Sequence, residues 1–195
     1  MIVLGLTGSI GMGKSTVARQ FKRMGAEVFE ADRAVHELMT PDGKAFDSVT
    51  EAFPECLIDG KIDRKKLGDI VFENPNKLKR LEAIIHPLVR KMELEFLQKN
   101  MRQREKIVVL DIPLLYETGT DELCDYVAVV RASCIVQKNR VGKRGGIDTH
   151  KFNNINQLQM PTNEKINLAD FVINTGLDKR EVLKQVRGIM NQLKG

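Results

Sequence analysis

Eight residues near the amino terminus, Gly8-Ser9-Ile10-Gly11-Met12-Gly13-Lys14-Ser15, satisfy G-x-x-x-x-G-K-[ST] at every specified position. Glycines at Gly8, Gly11 and Gly13 let successive backbone N–H groups converge on one anion, which a Cβ there would obstruct. Lys14 adds a cation on a loop expected to face solvent, and Ser15 a hydroxyl suited to Mg²⁺. The loop opens onto Ser15-Thr16-Val17-Ala18, so a helix N-terminus also points at the anion. Gly8, Gly11, Met12, Gly13, Lys14, Ser15 and Thr16 are therefore the expected contacts of a nucleoside triphosphate, with ATP and Mg²⁺ as cofactors.

Two carboxylates follow apolar runs where a parallel sheet would gather its ligands, Asp32 after the second run and Asp111 after the third. One can orient or deprotonate an attacking hydroxyl while the other holds Mg²⁺ through water, and both assignments stay open at this point. A basic stretch offers Arg131, Lys138, Arg140, Lys143 and Arg144. Arg140 and Arg144, four apart, share a helical face that could bring a guanidinium onto a transferring phosphoryl group. His86, before Pro87, is expected to contact substrate.

The elements that must position these groups alternate strand and helix. Apolar runs at Ile2–Leu6, Ala26–Ala31, Ile107–Leu110, Tyr126–Val130 and Phe171–Ile173 read as five buried parallel strands in one α/β sheet. Gly25 is the expected C-cap of the first helix, and Asn74 that of an N-cap before Pro75. Residues 34–101 read as an all-helical insertion, interrupted at the Asp59-Gly60 turn and broken at His86-Pro87. Residues 132–165, polar, basic and glycine-interrupted, read as a mobile lid. The core is then 1–33, 102–131 and 166–195, closed by a helix whose Val182, Val186, Ile189, Met190 and Leu193 form an apolar stripe.

Composition narrows the partners. The formal charge of +5 suits polyphosphates, and with no Trp and two Tyr a nucleic-acid surface is the weaker choice. Three cysteines and three histidines lack metal-ligand spacing. No apolar run is long enough to span a bilayer, so a cytoplasmic chain without membrane or nucleic-acid partners is expected.

The chain resembles the dephospho-coenzyme A kinases over nearly its whole length. The likeness rests on Gly5-Leu6-Thr7-Gly8 with the phosphate loop, Ala31-Asp32-Arg33, Asp59-Gly60-Lys61-Ile62-Asp63-Arg64, His86-Pro87, Pro113-Leu114-Leu115-Tyr116-Glu117, Gln137 with Arg140 and Arg144, Gln159-Met160-Pro161 with Lys165, and Ala169-Asp170-Phe171-Val172-Ile173. It implies a P-loop kinase core with a helical substrate-binding insertion and a lid. The implied reaction is transfer of the ATP γ-phosphoryl group to the ribose 3′-hydroxyl of dephospho-coenzyme A. By that likeness Asp32 is the base, Arg140 a lid arginine facing the phosphates, and Thr7, Arg64, His86 and the turn from Leu114 to Glu117 line the substrate side. Asn153 to Asn156 lacks an arginine usual one helical turn before Gln159, so the resemblance implies either a weaker lid closure or Lys151 in its place.

Two other readings share parts of this pattern: a P-loop kinase for a nucleoside monophosphate or small alcohol, and a P-loop switch or nucleic-acid-dependent ATPase. The first needs a smaller acceptor pocket than the long insertion suggests. Against the second, Asp111 lies in Ile112-Pro113-Leu114-Leu115 without an adjacent acid to activate water.

Overall fold

A computed structural model describes residues 1–143 and 159–194. In chain order they form β1 (Ile2–Thr7), α1 (Lys14–Arg23), β2 (Glu27–Glu30), α2 (Ala31–Leu38), α3 (Phe46–Ala52), β3 (Leu57–Ile58), β4 (Lys61–Ile62), α4 (Arg64–Phe72), α5 (Pro75–Arg102), β5 (Ile107–Asp111), β6 (Tyr126–Arg131), α6 (Cys134–Lys143), α7 (Thr162–Leu168), β7 (Phe171–Asn174) and α8 (Lys179–Lys194). Two compact units result, one of residues 1–30 and 97–195, the other of residues 31–96. Residues 31–33, expected with the core, thus fall in the second unit.

The first unit holds a five-stranded sheet in the order β2-β5-β1-β6-β7, parallel throughout. Its strands are the expected apolar runs, and all of β5 is buried. Register aligns their carboxyl ends: Leu6 and Glu30 both pair with Asp111, Thr7 with Val129, and Arg131 with Asn174. Chemistry carried just past any of these strands therefore gathers along one sheet edge. Helix α1 buries Val17, Ala18 and Phe21, and α8 buries Val182, Val186, Ile189, Met190 and Leu193, all in one core with Leu4, Leu6, Val109, Val130 and Ile173. Gly25, at φ 89°, ends α1 in the left-handed region that favours glycine, its N–H on the Lys22 carbonyl at 3.0 Å.

The second unit corrects two expectations. It is not all helical: β3 and β4 pair antiparallel, Leu57 with Ile62 and Ile58 with Lys61. Asp59 and Gly60, at φ 48° and 72°, are the two-residue turn between them, and Asp-Gly favours that left-handed pair of conformations. Nor does His86-Pro87 break the helix, since α5 carries Pro87 inside a continuous 28-residue helix. Proline removes one backbone hydrogen bond, but Ile85 and Val89 on either side are buried, and their packing outweighs the loss. The expected Asn74 cap is in place, its Oδ1 accepting from Asn76 N at 2.9 Å. Asp63, not expected as a cap, does the same for α4, its Oδ1 accepting from Lys65 N and Lys66 N at 2.9 and 3.0 Å. Among the described residues no helix is long and apolar enough to cross a membrane.

Candidate active site

The loop between β1 and α1 is shaped by what its glycines admit. A Cβ on Gly8 would lie 2.3 Å from Val130 Cγ2, so the loop turns tightly against the end of β6. Gly13, at φ 89°, would place a Cβ 3.0 Å from Arg140 Nη1 and 3.1 Å from Thr175 Oγ1. Both the backbone conformation and the close approach of a guanidinium and of Thr175 disfavour a side chain there. Met12 is buried, and its Sδ accepts from Ala132 N at 3.2 Å. Amides hold the loop from two sides: Gln137 Nε2 donates to the Ile10 carbonyl at 2.8 Å, and Ile10 N donates to Gln159 Oε1 at 3.2 Å.

Lys14, the first residue of α1, corrects its expected exposure. Its Nζ lies 2.5 Å from Asp111 Oδ1, and the two side chains are only 12% and 6% exposed. Ser15 and Thr16 in the next positions are exposed. An exposed hydroxyl at Ser15 and a carboxylate at Asp111 are hard oxygen donors that fit Mg²⁺. Among the described residues no cluster of three or more His, Cys, Asp or Glu could cage an ion. With two such donors, most of the ligands of a Mg²⁺ ion would come from phosphates and water.

Arg140 on α6 comes to the same loop. Its Nη1 donates to Thr175 Oγ1 at 3.0 Å and its Nη2 to the Thr175 carbonyl at 2.7 Å. Arg144 lies outside the described residues, as do Lys151 and the stretch from Asn153 to Asn156.

Thr7 and the turn from Leu114 to Glu117 share one network. Thr7 is fully buried, and its Oγ1 donates to the Pro113 carbonyl at 3.0 Å. That carbonyl also accepts from Lys165 Nζ at 2.9 Å. Lys165 is fully buried and pairs with Glu117 at 2.9 Å, while Glu117 Oε1 accepts from Met160 N at 2.7 Å. The Leu114 carbonyl accepts from Thr118 N and Thr118 Oγ1 at 3.0 and 2.8 Å.

In the second unit, Asp32 is exposed in the first turn of α2, two residues beyond the Glu30 that pairs with Asp111. A carboxylate there also suits the positive end of the helix. His36, four residues on, shares its exposed face and lies with Nδ1 3.4 Å from Arg64 Nη1. Because a guanidinium can only donate, Nδ1 is the acceptor wherever this contact is a hydrogen bond. His86 is exposed in the middle of α5.

Sequence reasoning missed Thr175, Gln137's grip on the loop, the Lys165–Glu117 pair and His36. Thr175 stood within its reach, being the first residue after β7, as Asp111 is the last residue of β5 and Asp32 lies two residues beyond β2.

A parallel sheet whose central strand feeds a lysine-bearing phosphate loop, with a carboxylate at the end of the neighbouring strand, defines an α/β P-loop kinase. The chain belongs to the dephospho-CoA kinase family, whose profile matches residues 2–179. It is 48% identical over its full length to a dephospho-CoA kinase of Mesorhizobium japonicum, covering 98% of that protein. A dephospho-CoA kinase of Bartonella quintana is 45% identical over 99% of this chain and 98% of its own. Among solved structures, a Thermus thermophilus protein superposes with a TM-score of 0.85 at 32% identity, covering 100% of this chain and 98% of its own. The dephospho-CoA kinase of Campylobacter jejuni superposes at 0.71 and 26% identity, covering 98% and 96%.

Proposed function

We infer that this chain uses ATP to phosphorylate the ribose 3′-hydroxyl of dephospho-coenzyme A, giving coenzyme A and ADP, the last step of coenzyme A synthesis. The observation that carries the reading is membership of the dephospho-CoA kinase family over residues 2–179. The phosphate loop and Lys14 hold the donor's phosphates. Asp32 orients the acceptor hydroxyl and takes its proton as oxygen bonds to the γ-phosphorus and the bond to the ADP oxygen breaks. Arg140 offsets charge on the transferred group, and Arg144 is assigned to the nucleotide. Arg64 and His86 hold the acceptor, while Thr7, Leu114 and Glu117 serve the substrate side through the turn they fasten. Mg²⁺, held by Ser15 and Asp111, would neutralise charge on the β- and γ-phosphates. The compartment we assign is the cytoplasm, whose reducing conditions suit three cysteines that form no disulfide.

The test is ADP release from the purified chain with Mg·ATP and, in turn, dephospho-coenzyme A, AMP, shikimate or no acceptor. Release should depend on dephospho-coenzyme A, with product mass raised by one phosphate at the 3′ position. Equal release without an acceptor would leave an ATPase, and preference for AMP or shikimate a different kinase.

A further inference from the structure

We propose that Thr175 is a positioning residue for Arg140, a buried hydroxyl that fixes this guanidinium against the phosphate loop. The proposal rests on the phosphotransferase reading, in which Arg140 meets the donor's phosphates. Thr175 follows β7 directly and is 5% exposed. Its hydroxyl has one proton to give. The contact to the Met12 carbonyl is 2.5 Å and that to the Arg131 carbonyl 3.2 Å, so the proton goes to the phosphate loop. A lone pair of the same oxygen accepts from Arg140 Nη1 at 3.0 Å, and the Thr175 carbonyl accepts from Nη2 at 2.7 Å. One residue therefore grips the planar fork at two points and ties it, through one oxygen, to the loop backbone.

Pinning two donors of a rigid plane fixes the other three of its five. Those three, which bond to no other group among the described residues, are the ones left to meet phosphate oxygens, beside Gly13. Without the hydroxyl, the buried Met12 carbonyl loses its donor from Thr175 and Nη1 its acceptor, and the long arginine side chain regains rotamer freedom. Valine matches threonine in shape but offers neither function, whereas serine keeps both.

The experiment is a double-mutant cycle on kcat/KM for ATP, using wild type, Thr175→Val, Arg140→Ala and the double variant, with Thr175→Ser as rescue. Thr175→Val should lose about tenfold or more, ~1.4 kcal/mol, and less than about threefold once Arg140 is alanine, a coupling of at least ~0.7 kcal/mol. Thr175→Ser should stay within about threefold of wild type. Equal losses in both backgrounds, or a serine variant as poor as valine, would overturn the proposal, because a hydroxyl that only braced the fold would act without Arg140. If Thr175→Val does not fold, Thr175→Ala takes its place in the same cycle. Reading the cycle also on the ATP dissociation constant keeps the two ideas apart. Absence of transfer to dephospho-coenzyme A in wild type sinks the functional reading, while coupling or additivity in ATP affinity still decides Thr175.

Discussion

Lys14 and Asp111, 97 residues apart in the chain, form an ion pair of 2.5 Å shielded from solvent. The cation offered to phosphate is thus already neutralised by a carboxylate at the end of the adjacent strand. Each charge is desolvated, and each satisfies the other. An ammonium carries three donors, so Lys14 can meet a phosphate oxygen while keeping Asp111.

Replacing Lys14 by alanine should therefore cost more than turnover. Phosphoryl transfer depends on positioning and electrostatics, and a loss of at least about a thousandfold is expected. Loss of the ammonium from this shielded pair should also lower stability by about 1–3 kcal/mol. Adding Asp111→Asn to a Lys14→Met variant should restore the denaturation midpoint but not the rate. Urea unfolding beside steady-state kinetics checks both, and near-normal turnover in Lys14→Ala would remove the loop's role.

Asp32→Asn should cut single-turnover transfer by at least about a hundredfold, the lower end of general-base contributions, with ATP binding unchanged. The amide keeps the shape but not the basicity. Calorimetry of ATP at several Mg²⁺ concentrations decides: weaker binding with a rate rescued by Mg²⁺ would move Asp32 to the metal and Asp111 to the hydroxyl.

Arg64→Ala should raise KM for dephospho-coenzyme A about tenfold or more and leave KM for ATP nearly constant, since a guanidinium fork suits paired contacts to a substrate phosphate. An equal rise in both constants would make Arg64 structural.

Tyr116 gives the chain a pH signature. Its hydroxyl is buried with no hydrogen-bond partner among the described residues. Burial, and then the charges of Asp121, Asp170 and Cys124, push its pKa from 10.0 up to about 12. The folded state therefore holds this proton longer than the unfolded chain does. Its contribution is complete below pH 10.0 and is lost as pH rises through about 12. Urea midpoints across that range should fall less steeply in Tyr116→Phe than in wild type. Equal slopes would place the phenol in an ordinary environment.

Much of this arrangement was legible because it is local. A glycine-spaced loop, continuous apolar runs and the cap residues act on their own neighbourhoods, and the structure returns them in place. Pro87 misled because its local penalty was read without the burial of Ile85 and Val89 that offsets it. Asp59-Gly60 was seen as a turn, yet Leu57-Ile58 and Lys61-Ile62 are too short to show strand alternation. The Lys165–Glu117 pair was beyond reach for another reason. These residues are 48 apart, and only the tertiary fold brings a lysine of α7 under the turn after β5. Thr175 could have been found, had the rule that singled out Asp32 and Asp111 been carried to the last strand.

The burial of Lys165 has a chemical corollary. Acylating reagents attack only the unprotonated amine of a lysine they can reach, and this side chain has no exposed surface. It should stay unlabelled in the native protein while exposed lysines such as Lys61 and Lys65 react. Its labelling rate then measures how often α7 lifts from the turn at Pro113 and Glu117, so a lysine held for structure doubles as an internal clock for local opening.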